Sequence, residues 1–179
     1  MTGVQTCALP ISCWHHPDFT MINWLRGGEK LFDWRPNNAE RYYPELKPWK
    51  HGKRLLVLCD YDEDGEKYAA LARPHYEDIE IRKHPSNEGE AEGLIDALEK
   101  FDLAIGGKTT ALVKAAIEGL PVFCTDKSSP VYPVSSTIKH PRRAGRIEWI
   151  NSLSWHNWSK QEIKSGEAWQ HIRSSLNQP

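Results

Sequence analysis

Two short stretches of the chain carry residue types that bind phosphate groups. In the first, Arg82-Lys83-His84-Pro85, an imidazole follows two cationic side chains. Histidine donates hydrogen bonds to phosphate oxygens, more strongly when it is protonated. The alternative interpretation is an ordinary surface-loop histidine beside a proline that stiffens the chain. His84 is therefore a candidate phosphate ligand, and Arg82 is an accessory candidate.

The second stretch combines two glycines, a lysine and two hydroxyl side chains. Glycine lets a ligand approach the backbone closely, and the N-terminus of a helix offers unpaired N–H groups and a partial positive charge. A helix that begins here would present these donors to an anion. The alternative is a capped helix that follows an ordinary tight turn. The candidate phosphate-binding residues are Gly106, Gly107, Lys108, Thr109 and Thr110.

Two further patterns begin like known ligand motifs but lack an essential residue. Residues 107–109 (GKT) end like a P-loop, but Asp102 stands where that motif has its first glycine. The acidic run that starts at Asp60 opens like an EF-hand loop, but its twelfth position is Leu71 instead of glutamate. Solvated loop charge is the simpler interpretation of that run. Asp60 stays an accessory candidate because it follows a predicted strand.

The four cysteines predict neither a disulfide framework nor a metal site. The chain contains no CxxC pair, and Cys13 with His15 and His16 lacks a second pair of ligands. Cys59 and Cys124 end apolar runs, where a buried thiol behaves as a small hydrophobic group. We therefore expect no bound metal and a reducing, cytoplasmic location.

Length and composition are those of one globular domain. The chain has 179 residues, of which 39% are hydrophobic, and a formal net charge of −1. A near-neutral charge argues against sequence-independent DNA coating, which draws on excess lysine and arginine. No apolar run reaches the roughly 20 residues that span a bilayer, so we expect no membrane span.

Strand and helix patterns alternate from residue 54 to residue 125. Short apolar or alternating runs predict strands at residues 55–59, 79–82, 102–105 and 121–124. Helical periods lie between them, and Gly119 is expected to end the last helix. The alternation is typical of βαβ units and predicts an α/β, Rossmann-like parallel sheet flanked by helices. Because parallel strands share a carboxyl edge, His84 and residues 106–110 are expected to meet there.

The rest of the chain divides into three segments around the domain at residues 54–141. Residues 1–12 (MTGVQTCALPIS) resemble translated sequencing adapter, so we expect them to be non-native and outside the core, with the natural N-terminus missing. Residues 13–53 are aromatic and broken by prolines, which predicts an irregular N-terminal segment and a linker onto the first strand. Residues 142–179 predict a helical, Trp-rich C-terminal tail that packs on the domain. Stacking of its tryptophans on bases or sugars is the alternative.

In combination, these stretches resemble the C-terminal, donor-binding half of a GT-B glycosyltransferase. The branch that is most similar includes CDP-glycerol glycerophosphotransferases and capsule Kdo-transferases. Small bacteriophage glycosyltransferase-like proteins are also similar, and the resemblance spans residues 40–172. The matching stretches are residues 82–85 (RKHP), 109–112 (TTAL), 115–122 (AAIEGLPV), 44–49 (PELKPW), 158–159 (WS), 162–163 (EI) and 165–169 (SGEAW).

The resemblance implies an enzyme that transfers a sugar from a nucleotide-diphosphate donor, without a further cofactor. It places His84 on the donor phosphate and Gly106, Gly107, Thr109 and Thr110 around the pyrophosphate. It also implies that an N-terminal acceptor domain is missing. The acceptor is unknown, and a modified DNA base is the acceptor that the phage-like resemblance suggests. No catalytic base is assigned.

One position departs from the family pattern. Many GT-B proteins carry an acidic, ribose-binding residue five positions before the glycine that matches Gly119, and here that residue is Lys114. The departure leaves the donor open. A non-catalytic nucleotide-binding module and a structural, partner-binding domain remain the alternatives to an enzyme.

Overall fold

The computed structural model describes residues 11–15, 20–26, 29–30, 45–61, 63–84, 93–154, 157–158 and 160–176. The chain divides into two compact units, one formed by Met1–Tyr42 and Asn151–Pro179, the other by Tyr43–Ile150. In chain order the elements are β1 (Ile11–His15), β2 (Thr20–Arg26), β3 (Glu29–Lys30), β4 (Leu55–Leu58), α1 (Gly65–Ala72), β5 (Ile79–Arg82), α2 (Leu94–Glu99), β6 (Leu103–Gly106), α3 (Thr110–Ile117), β7 (Val122–Cys124), a 3-10 turn (Tyr132–Val134), α4 (Arg146–Ser154), β8 (Asn157–Trp158), α5 (Lys160–Ser165) and α6 (Glu167–Leu176).

The unit Tyr43–Ile150 is built on a four-stranded, all-parallel sheet. Its strand order is β5-β4-β6-β7, and every neighbouring pair is parallel. The two inner strands, β4 and β6, are buried at every position, whereas the edge strand β5 is only partly buried. This pattern explains why the inner strands are continuous apolar runs and β5 alternates. The predicted α/β parallel sheet is confirmed.

Helices cover both faces of the parallel sheet. On one face, Leu55 and Val57 join a buried cluster with Tyr68 and Ala69 of α1. On the other face, a side chain at Gly106 would approach Leu112 of α3. Successive residues of a strand point to opposite faces, so each run of apolar residues supplies both layers.

The strand order reverses between β4 and β6. The chain passes from β4 outward to β5, then crosses to β6 on the other side of β4. In open α/β sheets, ligands bind outside the carboxyl ends of the strands at such a reversal. We call the space between the loops after β4 and β6 the switch crevice.

The segment at residues 45–50 lies against the C-terminal ends of α2 and α3. The N–H groups of Lys47 and Lys50 donate to the carbonyl oxygens of Ile117 and Gly119 over 3.0 and 2.8 Å. The Lys50 ammonium also donates to carbonyl oxygens at residues 98, 99 and 101. These donors satisfy carbonyls that a helix end leaves unpaired. The unit therefore begins at residue 43, earlier than the predicted boundary at 54, and its first segment docks on helix ends.

Arg146 is a buried cation beside this segment. Its guanidinium donates to the carbonyl oxygens of Ala116 over 2.7 Å and of Lys47 over 2.6 Å. It also lies 3.7 Å from the centre of the Trp49 ring, and burial lowers the pKa of the guanidinium. Arg146 thus ties the 45–50 segment to the C-terminal end of α3.

Gly119 ends α3, as predicted. It has a φ of +91°, and the Leu120 N–H that follows it donates to the Ala115 carbonyl over 2.9 Å. This pairing is a Schellman motif, in which a left-handed residue stops the helix. An added Cβ at Gly119 would also overlap the carbonyl oxygen of Pro48.

The other unit contains a second, antiparallel sheet. Strand β2 pairs with β1, β3 and β8, and Ile11 and Ser12 of β1 lie opposite Trp24 and Asn23. Strands thus occupy part of the segment 13–53, where a loop or short hairpin within an irregular segment was expected, and residue 12 lies within β1. Residues 1–10 lie outside the described residues.

The C-terminal tail is helical, as predicted, but it is shared between the two units. Residues from Asn151 onward group with the antiparallel sheet, and the packing of the tail on the domain at residues 54–141 stays a prediction. Trp149 and Trp158 are 2% and 5% exposed, consistent with packing, whereas Trp169 is 59% exposed. Trp155 lies outside the described residues. None of the helices in the described part of the chain has the length and apolar character to cross a bilayer.

Candidate functional site

The carboxyl edge of the parallel sheet brings together the loops that carry the predicted site residues. Asp60 follows β4, His84 follows β5, and residues 106–110 run from the end of β6 into α3. We call residues 106–110 the glycine turn. Asp60 and the glycine turn flank the switch crevice, and His84 lies beyond β4 on the other side.

Register fixes the spacing of these groups. Leu58 pairs with Arg82 on one side and with Gly106 on the other. The ends of β5 and β6 are therefore about two strand spacings, roughly 10 Å, apart. His84 and the glycine turn share one edge of the sheet at a separation that one extended ligand could span. Their joint contact with a ligand stays a prediction.

The loop after β4 is held by a carboxylate that the sequence analysis passed over. Glu63 accepts the Asp60 N–H over 3.0 Å and the Tyr68 hydroxyl over 2.6 Å. Its side chain is 21% exposed and forms an ion pair with Lys67 at 3.5 Å. The Tyr61 N–H donates to the Asp60 carboxylate over 2.9 Å. Asp60 and Glu63 thus accept hydrogen bonds within their own loop, so this part of the acidic run has a structural role.

Tyr68 and Glu63 also explain one of the glycines. An added Cβ at Gly107 would overlap the Tyr68 hydroxyl and lie 2.6 Å from a Glu63 carboxylate oxygen. Burial, followed by the hydrogen bond to Glu63, raises the pKa of the Tyr68 hydroxyl. The space beside the Gly107 Cα is therefore occupied by the protein's own polar groups, one of them a carboxylate. A phosphate is expected to approach the turn from Lys108 onward instead.

The glycine turn is anchored on its other side by β7. The Cys124 thiol donates to the Gly107 carbonyl over 3.2 Å, and the Thr125 hydroxyl and N–H donate to the Gly106 carbonyl over 3.3 and 3.0 Å. An added Cβ at Gly106 would overlap the Leu58 carbonyl oxygen. Both glycines are thus required by packing, which is a second reason for their presence beside ligand access.

Thr109 is the N-cap of α3. Its φ and ψ of −87° and 140° are extended, and its hydroxyl oxygen accepts the Ala111 N–H over 3.2 Å. This is the geometry of a side-chain cap, and Thr109 is 5% exposed. Thr110 begins the helix and is exposed, and Lys108 is partly exposed. Lys108 and Thr110 are thus the two residues of the turn that are not buried.

An aromatic pair lies on the neighbouring part of the edge. The rings of Tyr61 and His84 are 5.8 Å apart between centroids, at an interplanar angle of 72°. This edge-to-face arrangement is a favoured one for aromatic rings. Tyr61 is 54% exposed. His84 is therefore more than an isolated loop histidine, since it packs on a side chain from the adjacent strand end.

Tyr61 and the Glu63–Tyr68 pair were not among the site residues predicted from sequence. The spacing of Glu63 and Tyr68 places one residue before the N-cap Asp64 and the other in the second turn of α1. That spacing could have predicted the Glu63–Tyr68 contact from sequence, because a carboxylate before a helix can fold back onto the first turns. Lys114 lies in the last turn of α3, away from the glycine turn at its start.

Within the described ranges, no three His, Cys, Asp or Glu side chains are grouped as metal ligands. The chain was compared with protein-family models, with curated proteins and with solved structures, and none of the three comparisons finds a match.

Proposed function

We propose that the parallel-sheet unit binds the diphosphate of a nucleotide-sugar donor at its carboxyl edge, as the donor-binding half of a glycosyltransferase. The observation that carries the proposal is the position of the glycine turn. It opens α3 at the point where the strand order reverses. Helix N-termini at such points are anion sites.

The charges along the edge favour one place for the diphosphate. Glu63 lies beside Gly107 and repels a phosphate there, whereas Lys108 and the start of α3 attract it. His84, roughly two strand spacings away, reaches the other end of a ligand that lies along the edge. The diphosphate is thus proposed to contact Lys108 and Thr110, with His84 on its far side.

The chemistry that follows from this placement is displacement at the anomeric carbon of the donor sugar. The bond from that carbon to the phosphate oxygen breaks, and its electron pair leaves with the nucleotide diphosphate. The helix N-terminus and cationic side chains stabilise the departing charge. A bond to the acceptor oxygen forms, and the acceptor proton passes to a base that we do not assign within this chain.

A non-catalytic nucleotide-binding module is the second candidate, and one observation favours it. Glu63 is a carboxylate beside Gly107, and it already accepts the Asp60 N–H and the Tyr68 hydroxyl. A carboxylate so engaged is poorly placed to take a proton from an acceptor. Release of nucleotide diphosphate from sugar donors would support the enzyme, and binding without turnover would support the module.

Thermal-shift titration with UDP, CDP, GDP and ADP tests the proposal. A bound nucleotide at a hundredfold excess over its dissociation constant stabilises the fold by about 2.7 kcal/mol. We expect His84→Ala and Lys108→Met each to weaken binding by about 1.5–3 kcal/mol, the range for a hydrogen bond to a charged group.

Two exposed residues of the same types provide controls. His75 and Lys139 lie outside the carboxyl edge and are exposed, so His75→Ala and Lys139→Met should leave the affinity unchanged. If none of the four nucleotides stabilises the wild type, the proposal fails. If the control variants weaken binding as much as the site variants, the location is wrong.

A further inference from the structure

We infer that Tyr61 and His84 form a stacking platform for the nucleobase of the bound nucleotide. This inference rests on the proposed function, because it assigns the base end of a ligand whose diphosphate is placed at the glycine turn. We call the two side chains the aromatic platform.

The side chain of Tyr61 is unusually exposed for a residue that follows a buried strand. It is 54% exposed although it follows β4, whose four residues are buried. Its ring is nevertheless oriented, because it lies edge-to-face with His84 at a centroid distance of 5.8 Å. An oriented, half-exposed aromatic ring offers flat apolar surface to a ligand.

A chain of hydrogen bonds that begins at the buried Tyr68 holds the backbone at Tyr61. The hydroxyl of the buried Tyr68 donates to Glu63, and Glu63 accepts the Asp60 N–H. The Asp60 carboxylate in turn accepts the Tyr61 N–H. A ring held in place before binding loses little conformational entropy when a ligand stacks on it. The hydrogen-bond chain therefore makes Tyr61 a preorganised contact.

The platform and the glycine turn are separated by a distance that suits a nucleoside diphosphate. The platform lies at the ends of β4 and β5, and the turn lies at the end of β6. The spacing from β5 to β6 is roughly 10 Å, which is comparable with the reach from base to terminal phosphate in an extended nucleotide. A ligand with its diphosphate on Lys108 and Thr110 thus carries its base over Tyr61.

Stacking recognises the face that every nucleobase possesses, so the platform predicts binding with little preference among bases. Stacking of one base on one aromatic side chain changes the dissociation constant by roughly 5- to 150-fold. Inorganic pyrophosphate has no base and should be indifferent to the Tyr61 ring, whereas His84 can also donate to phosphate. The two ligands therefore separate the base contact from the phosphate contact.

The experiment measures dissociation constants of UDP, CDP, GDP, ADP and inorganic pyrophosphate by calorimetry on the full chain. We expect Tyr61→Ala to raise the constants of the nucleotides by roughly 5- to 150-fold and to leave that of pyrophosphate unchanged. Tyr61→Phe keeps the ring and should bind like the wild type. Tyr132→Ala is the matched control, because Tyr132 is 39% exposed and follows β7.

Each other outcome is informative. Unchanged nucleotide binding in Tyr61→Ala overturns the platform while the proposed function stands. Equal weakening of nucleotides and pyrophosphate overturns it too, because the variant would then act through the loop or the phosphate. If the wild type binds none of the nucleotides, the proposed function fails, and the platform with it.

Discussion

The hydroxyl of Tyr68 makes a polar contact between the hydrophobic core and the carboxyl edge of the parallel sheet. The ring belongs to the buried cluster with Leu55 and Val57, and the hydroxyl donates to Glu63 over 2.6 Å. Lys67 lies 4.5 Å from the centre of the same ring. A hydroxyl in this position links the packing of α1 to the geometry of the loop after β4.

The ionisation of Tyr68 makes the fold sensitive to alkaline pH. Its pKa is raised in the folded protein above the ordinary value of 10.0, so its contribution to stability is present below that pH and is lost as the pH rises through the folded pKa. We expect the free energy of unfolding in urea to fall as the pH rises above about 10. In Tyr68→Phe it should fall less steeply.

Two other tyrosines serve as comparisons for this pH dependence. Burial also raises the pKa of Tyr76, so part of the slope should persist in Tyr68→Phe. Tyr132→Phe changes an exposed tyrosine and should keep the slope of the wild type. A Tyr68→Phe protein with the full wild-type slope would contradict the assignment.

At the scale of elements, the C-terminal end of α3 is capped in two separate ways. Gly119 ends the helix through its left-handed backbone, and Arg146 supplies a cation to the carbonyl oxygens of Ala116 and Lys47. A cation at this end also interacts favourably with the helix dipole. The helix that carries the glycine turn at its start is thus secured at its far end.

Replacement of Arg146 should therefore be costly. In Arg146→Met the methionine fills much of the space over Trp49. The partly buried Lys47 carbonyl oxygen loses its Arg146 donor, and the Ala116 carbonyl oxygen keeps the Gly119 N–H. We expect a loss of about 1–3 kcal/mol in the free energy of unfolding, the usual range for a buried group left unpaired. Arg142 is exposed, so Arg142→Met should change stability by less than about 0.5 kcal/mol. Equal stability of Arg146→Met and the wild type would exclude the capping role.

Sequence patterns predicted the elements better than the contacts between them. The strands of the parallel sheet and the stop at Gly119 follow from local signals, namely apolar runs and a glycine after a helix. The edge position of His84 followed as well, because parallel strands share a carboxyl edge. The contact of Tyr61 with His84 and the hydrogen bonds that Glu63 accepts from Asp60 and Tyr68 depend on loop conformation, which residue types alone do not determine.

For the whole molecule, the two sheets differ in how far apart their partners lie in sequence. The parallel sheet is assembled from consecutive βαβ units, and its pattern is readable from the chain. The antiparallel sheet pairs Thr20 of β2 with Trp158 of β8, and its strands lack a clean alternation of apolar residues. Strand propensity depends strongly on such distant partners, so residues 13–53 were expected to be irregular.

The parallel-sheet unit should fold without the other unit. Its buried cluster is drawn entirely from residues within Tyr43–Ile150, and about 110 residues are enough for a stable core. We expect a fragment of residues 43–154, which keeps α4 whole, to unfold cooperatively in urea. Circular dichroism on the fragment and on the full chain makes the comparison, and a fragment without a cooperative transition would contradict the prediction.

The contact between Lys47 and Arg146, which are 99 residues apart, has a consequence during protein synthesis. At 5–20 residues per second, the ribosome delivers Arg146 roughly 5–20 s after Lys47. During that interval β4 to β7 can pair as they emerge, and the 45–50 segment lacks the hydrogen bond from Arg146. A nascent chain can therefore dock the 45–50 segment on the ends of α2 and α3, but it lacks the contact of Lys47 with Arg146 until Arg146 has been made.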